Sequence, residues 1–150
     1  MAVVNLKSSL FRADDTNKPL DPIDKAGRLI VMTGTVANAA SDSNLSSYHL
    51  CDLPSDCMLH ELTAFDVENW GFATVNIGTK TDIDALVTVA KSAGNTVKPV
   101  AFGDAGHGKR LWEILGLAAD PGGVIGLYLH ASANATGAGS CPFQVVYLAR

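Results

Sequence analysis

The sequence predicts an all-β chain: a jelly-roll-like antiparallel β-sandwich of about eight strands, with one or two short helical turns. Three observations predict it. The last thirty residues hold two apolar runs, 124–130 and 142–149, rich in Val, Ile, Leu, Phe and Tyr, around a small polar loop of Ala, Ser, Asn, Thr and Gly. That is the pattern of an antiparallel hairpin whose strands lie in a core. Strands this apolar need a second layer to cover them, so the upstream segments should supply a facing sheet. Short β-branched runs recur along the chain between Gly, Pro, Asn and Asp clusters, with no repeat of 20–50 residues.

Length and composition agree. A 150-residue chain that is 47% hydrophobic buries roughly 70% of its unfolded surface and needs neither disulfide nor metal to hold a core. Charged residues make up 17%, below the usual figure of about 25%, which points to a surface partly covered by other protein or simply to a neutral Gly/Ala/Ser/Thr-rich one. The net charge of −4 without a basic cluster argues against nucleic-acid binding, which needs grouped Lys and Arg to neutralise phosphates. No apolar run reaches membrane-spanning length. The first residues lack the basic-then-apolar order of a signal peptide, so synthesis in the cytoplasm is expected. Three cysteines, an odd number, argue against a disulfide framework.

Residues 1–27 read as an N-terminal arm or irregular extension, because Ala13-Asp-Asp-Thr-Asn-Lys-Pro-Leu-Asp-Pro22 is dense in turn formers. Residues 28–150 read as the sandwich domain. Within it, strands are expected over 28–37, 48–53, 58–65, 72–77 and 97–102, ahead of the two closing runs. The 72–77 strand shows the cleanest alternation, with Ala73, Val75 and Ile77 on one face. Residues 81–91 are ambiguous. Thr81 and Asp84 resemble a capping box before Ile83, Leu86, Val87 and Ala90, which favours a short helix or turn, whereas Val87-Thr-Val fits a strand. Residues 109–115 predict one or two helical turns closed by Gly116.

Four constellations carry residue types capable of chemistry. Gly103-Asp-Ala-Gly-His-Gly-Lys109 matches a phosphate-binding loop, but Arg110 stands where Ser or Thr must hold Mg²⁺, and no βαβ context surrounds it. His49, Cys51, Cys57 and His60 are zinc-competent residue types at a spacing that fits no common zinc module; a Cys51–Cys57 bridge is sterically possible. The acidic residues Asp14, Asp15, Asp21 and Asp24 lack the Gly and Glu of a calcium loop. Trp70, Trp112, Tyr48, Tyr128 and Tyr147 could stack on sugars, though core packing explains them more simply. No nucleophile–base arrangement is visible. The chain therefore reads as a non-enzyme without cofactor or metal.

The stretch Leu111-Trp-Glu-Ile-Leu-Gly-Leu117, followed by Asp120-Pro-Gly-Gly123, an apolar strand and a final Val-Val-Tyr-Leu strand, resembles small head proteins of tailed bacteriophages, often encoded beside the major capsid protein. Gly27-Arg-Leu, Leu50-Cys-Asp-Leu-Pro54, Phe65-Asp and Ala73-Thr-Val-Asn-Ile-Gly78 extend the likeness over residues 27–150. The resemblance implies a jelly-roll capsid decoration, or cement, protein on the virion surface, with the major capsid protein and itself (homodimer or homotrimer) as partners, and neither nucleic acid nor membrane. Val3, Leu6, Leu10 and Phe11 are the expected shell-contact residues. The alternatives are a carbohydrate- or receptor-binding jelly roll on a phage head or tail, and a nucleotide-binding protein using Gly103 to Lys109.

Overall fold

The computed structural model describes residues 27–149. Nine strands make two antiparallel sheets. They are β1 (Arg28–Asn38), β2 (Ser47–Pro54), β3 (Met58–Leu59), β4 (Ala64–Asp66), β5 (Thr74–Gly78), β6 (Val87–Ala90), β7 (Thr96–Val97), β8 (Val124–His130) and β9 (Gly139–Ala149). One sheet has the order β1-β9-β4-β7, with β3 also paired to β9; the other has the order β2-β8-β5-β6. Successive strands mostly switch sheets, and only β3–β4 and β5–β6 stay in one. That interleaving is the double Greek key of a jelly roll. The expected sandwich is thus observed, with a 3-10 turn at Lys91–Ala93 and one short helix, α1 (Leu111–Ile114).

Four sequence expectations are corrected. The two closing runs do not form a hairpin. β8 pairs with β2 and β5, and β9 with β1, β3 and β4, so they sit in opposite sheets. Each is apolar because each runs through the interior of its own sheet. Residues 81–90 hold no helix: a turn at 83–84 leads into β6, where Val87 and Val89 pair with Ile77 and Val75, because inward alternation on a free sheet edge outweighs local helix preference. Residues 58–65 form two short strands around a turn, and of 97–102 only Val97 is in a strand.

Facing residues in an antiparallel pair share a side, so the register defines the core. Leu53, Leu127, Leu129, Val75 and Ile77 of one sheet meet Phe65, Cys141, Phe143, Val145 and Tyr147 of the other, all buried. Trp70 and Phe72, in the β4–β5 connection, plug one end, with Tyr48 edge-on to Trp70 at 5.1 Å between ring centres. At that end three loops are tied together. Leu45 N–H donates to Ala131 O (3.0 Å), Ala135 N–H to Asp42 O (2.9 Å) and Thr136 N–H to Gly71 O (2.8 Å). The opposite end carries the long β7–β8 connection. α1 is anchored there by Leu111 N–H to Cys57 O (2.8 Å) and Trp112 N–H to Ser55 O (3.1 Å). Gly122 and Gly123 both take positive φ (71° and 68°), which is why Asp120-Pro-Gly-Gly can turn sharply into β8.

Candidate contact surface

The two outer faces of the sandwich differ in chemistry. On the β2–β8–β5–β6 sheet, His49 Nε2 lies 2.9 Å from Asp52 Oδ1 and the His49 ring stacks on Tyr128 at 4.5 Å. Asn76 Oδ1 accepts from Thr88 Oγ1 at 2.7 Å. This face is polar. On the other sheet, Leu29 and Val31 of β1 face outward and are exposed, paired with Leu148 and Val146 of β9. Met58 of β3 lies opposite Leu148 on the other side of β9, and Leu62 is exposed in the adjoining turn.

That turn is built by one hydroxyl. Thr63, fully buried, donates from Oγ1 to Val146 O (2.9 Å) and accepts from Val146 N–H (3.0 Å). His60 N–H donates to Val146 O (2.8 Å), and Gln144 Nε2 donates to Leu62 O (3.1 Å). Residues 60–63 thus bulge out of the sheet while staying bonded to β9, and Leu62 is held at the surface.

Beside it opens a cavity of about 260 Å³ lined by Met58, Leu59, His60, Glu61, Phe102, His107, Gly108 and Leu148. Phe102 on its rim is 82% exposed and stands edge-on to His107, with ring centres 5.3 Å apart. Apolar contiguous surface of this kind, carrying an aromatic, is typical of protein contact sites rather than of a monomer's free surface.

The Gly103 to Lys109 segment forms the rim of this cavity and does not have the geometry of a phosphate cradle. Three of its amides are used in its own turns: Asp104 N–H donates to Ala101 O (3.0 Å), His107 N–H to Asp104 O (3.0 Å) and Lys109 N–H to Gly106 O (3.2 Å). The Asp104 carboxylate sits inside the loop, accepting from Ala101 N–H at 2.8 Å, where it would repel phosphate. The helix that follows has four residues, with Glu113 Oε2 accepting from Arg110 N–H at 2.9 Å.

The zinc-competent quartet is dispersed. Cys51 and Cys57 are buried in the core, His49 lies on the polar face, and His60 lies by the apolar cavity. Among the described residues no cluster of His, Cys, Asp and Glu has metal-binding geometry. The three cysteines are free thiols. Burial pushes Cys51 up to about 11, and Cys57 and Cys141 up to about 12, so none is an activated nucleophile. Trp70 and Tyr147 are core residues, and one ring face of Tyr128 is taken by His49. Asp120 is held below the usual carboxylate range by a hydrogen bond from Ser55 Oγ (2.5 Å) and another from Gly122 N–H (2.8 Å), which fix the turn into β8.

Val3, Leu6, Leu10 and Phe11 lie outside the described residues. In the sequence the apolar face is signalled only by Phe102 beside glycine and by Leu29 and Val31 in a strand whose one charge is Arg28 at its start.

No family model matches the chain, and no curated protein does. Among solved structures, a chain of the cyanophage Pam1 capsid asymmetric unit is similar, with a TM-score of 0.55 and 15% identity. The likeness covers 97% of this chain and 98% of that one. At that identity it is a likeness of fold, and it runs through the whole jelly roll.

Proposed function

We propose that the protein is a structural virion protein that binds the outer surface of a phage capsid and cements neighbouring major capsid subunits. The observation that carries this reading is the apolar outer face of one sheet, where Leu29, Val31 and Leu62 are exposed and Phe102 stands on the rim of a cavity that Met58 and Leu148 also line. Its near full-length likeness in fold to a chain of a phage capsid asymmetric unit supports the reading. A cement protein needs no reaction centre. It needs a rigid body with a contact face, and symmetry lets several modest contacts add up on the shell. The proposed partner is the major capsid protein, and the place of action is the virion surface after synthesis in the host cytoplasm. The segment holding Val3, Leu6, Leu10 and Phe11 is a second proposed shell contact.

Shells of the cognate phage assembled without this protein provide the test. Wild-type chain should co-sediment with them. Phe102→Ser and Leu29→Ser should each weaken binding about 30-fold, the loss of a hot-spot contact of about 2 kcal/mol, without lowering thermal stability. Deleting residues 2–12 should abolish co-sedimentation and spare the fold. Full affinity in both point variants would exclude this face as the shell contact.

A further inference from the structure

Sheet edges are templates for another strand, and proteins usually blunt them with short strands, bulges, charges or proline. Five strands have a free edge here: β1, β3 and β7 in one sheet, β2 and β6 in the other. Four are blunted. β3 and β7 have two residues each and β6 four. β2 carries a bulge between His49 and Cys51, the charge of Asp52, and Pro54 at its end.

β1 is not blunted. It runs for eleven residues and pairs with β9 without a bulge from Arg28↔Ala149 to Asn38↔Gly139. From Leu29 to Asn38 it has neither a charge nor a proline. Its inward residues Ile30, Met32 and Val36 pack against the core yet remain only half-buried, as expected of a strand whose lateral neighbour is missing. Among the described residues no strand pairs with its second edge.

We propose that this edge pairs with β1 of a second copy, antiparallel about a twofold axis, so that the two sheets continue as one. The strand suits itself as a partner. Centred on Thr33, the pairing sets Thr33 against its own copy, Val31 against Thr35, and Leu29 against Ala37. No like charges meet, and a Thr–Thr pair is a favourable cross-strand contact. Each facing pair lies on one side of the sheet, so Ile30 meets Val36 on the core side and both gain cover. A twofold contact of this kind is self-complementary and closes at two copies. The apolar outer faces of the two copies then lie side by side. The pairing rests on the strand edge alone and stands whether or not the outer face binds a shell.

Native mass spectrometry of the isolated full-length chain at micromolar concentration tests it. The expected species has twice the 15.7 kDa chain mass. Thr33→Lys places two ammonium groups opposite each other on an exposed position and should give monomer with an unchanged circular dichroism spectrum; Thr33→Val should remain dimeric. As a second measurement, Thr33→Cys should cross-link to itself under mild oxidation, whereas Thr35→Cys should not, and the buried native thiols do not compete. A monomeric wild type, or an oligomer that survives Thr33→Lys and fails to cross-link through Thr33→Cys, would overturn the proposal. So would a monomer whose β1 amides become protected from exchange only when shells are added, because the strand would then be pairing with a foreign chain.

Discussion

Asn38 shows how one side chain closes an end of the sandwich. It is the last residue of β1 and is 5% exposed. Its Nδ2 donates to Gly137 O (2.8 Å) and Ala39 O (3.1 Å), and its Oδ1 accepts from Gly71 N–H (3.1 Å). Three loops are therefore joined through one amide. Residue 71 must be glycine here, because a Cβ would lie 2.2 Å from Asn38 Nδ2 and 2.2 Å from Gly137 O. Asn38→Ala leaves a buried N–H and carbonyl without partners, at about 1–3 kcal/mol each. It should cost about 3 kcal/mol in urea unfolding, or about 10 °C in Tm for a chain of this size; a loss below 1 kcal/mol would mean that water replaces the amide. The buried thiols give a second prediction. Cys51, Cys57 and Cys141 titrate near 11–12 in the fold against 9.0 when free. The neutral thiol is the folded form, so its contribution is complete below about pH 9 and is lost as pH rises through 11–12. The urea midpoint should fall in that alkaline window and recover there when Cys57 and Cys141 are both replaced by Ala, relative to the variant's own neutral value. At neutral pH, Ellman's reagent should label none of the three until the chain unfolds.

Among the elements, the β3–β4 segment shows why sequence pattern and structure diverge. Residues 58–65 carry enough apolar and β-branched character to read as one strand. The run is broken because the Thr63 hydroxyl, rather than a backbone group, bonds Val146 N–H and shares Val146 O with His60 N–H, and no periodicity distinguishes that Thr from one lying in a ladder. Thr63→Val keeps the shape and removes both hydrogen bonds inside the core. It should cost about 2–3 kcal/mol, read by urea unfolding, and should also loosen Leu62 beside the apolar cavity. The β6 segment diverges for the opposite reason. Thr81, Asp84 and the i,i+3,i+4 spacing described a plausible local helix, but β5 offered an edge on which Val87 and Val89 could both turn inward. Strands with a long, unambiguous pattern were legible. Val124–His130 and Ser47–Pro54 fall within a residue or two of expectation. Their partners were not legible, because apolar content says that a strand is interior and not to which sheet it belongs. The apolar face was hidden for a related reason. Leu29, Val31, Leu62 and Phe102 are far apart in the sequence, and β1 and the β3–β4 segment are brought to one sheet only because β9 lies between them.

At the scale of the whole molecule, β9 is the strand on which the sheet with the apolar face depends. It pairs with β1 along eleven residues, with Met58 and Leu59 of β3, and with Ala64 and Phe65 of β4. Every one of these contacts joins residues 139–149 to a segment 78 or more positions earlier, so β1, β3 and β4 cannot be joined before β9 is made. Pairing of such distant segments delays folding, because loop closure must precede the contacts that reward it. The facing sheet does not depend on β9, although its β2–β8 pairs lie 70–83 positions apart: β2, β5 and β6 assemble around β8. Removing residues 139–150 should therefore do more than shorten a terminus. β1, β3 and β4 would lose their common partner, and the inner faces of β2, β8 and β5 would lose Cys141, Phe143, Val145 and Tyr147 as their cover. The truncated chain should lack dispersed amide resonances in NMR and should bind a hydrophobic dye, while deletion of residues 2–12 should keep the dispersed spectrum. A dispersed spectrum after loss of residues 139–150 would show that the second sheet is stable alone, and the two-layer account of the core would fail.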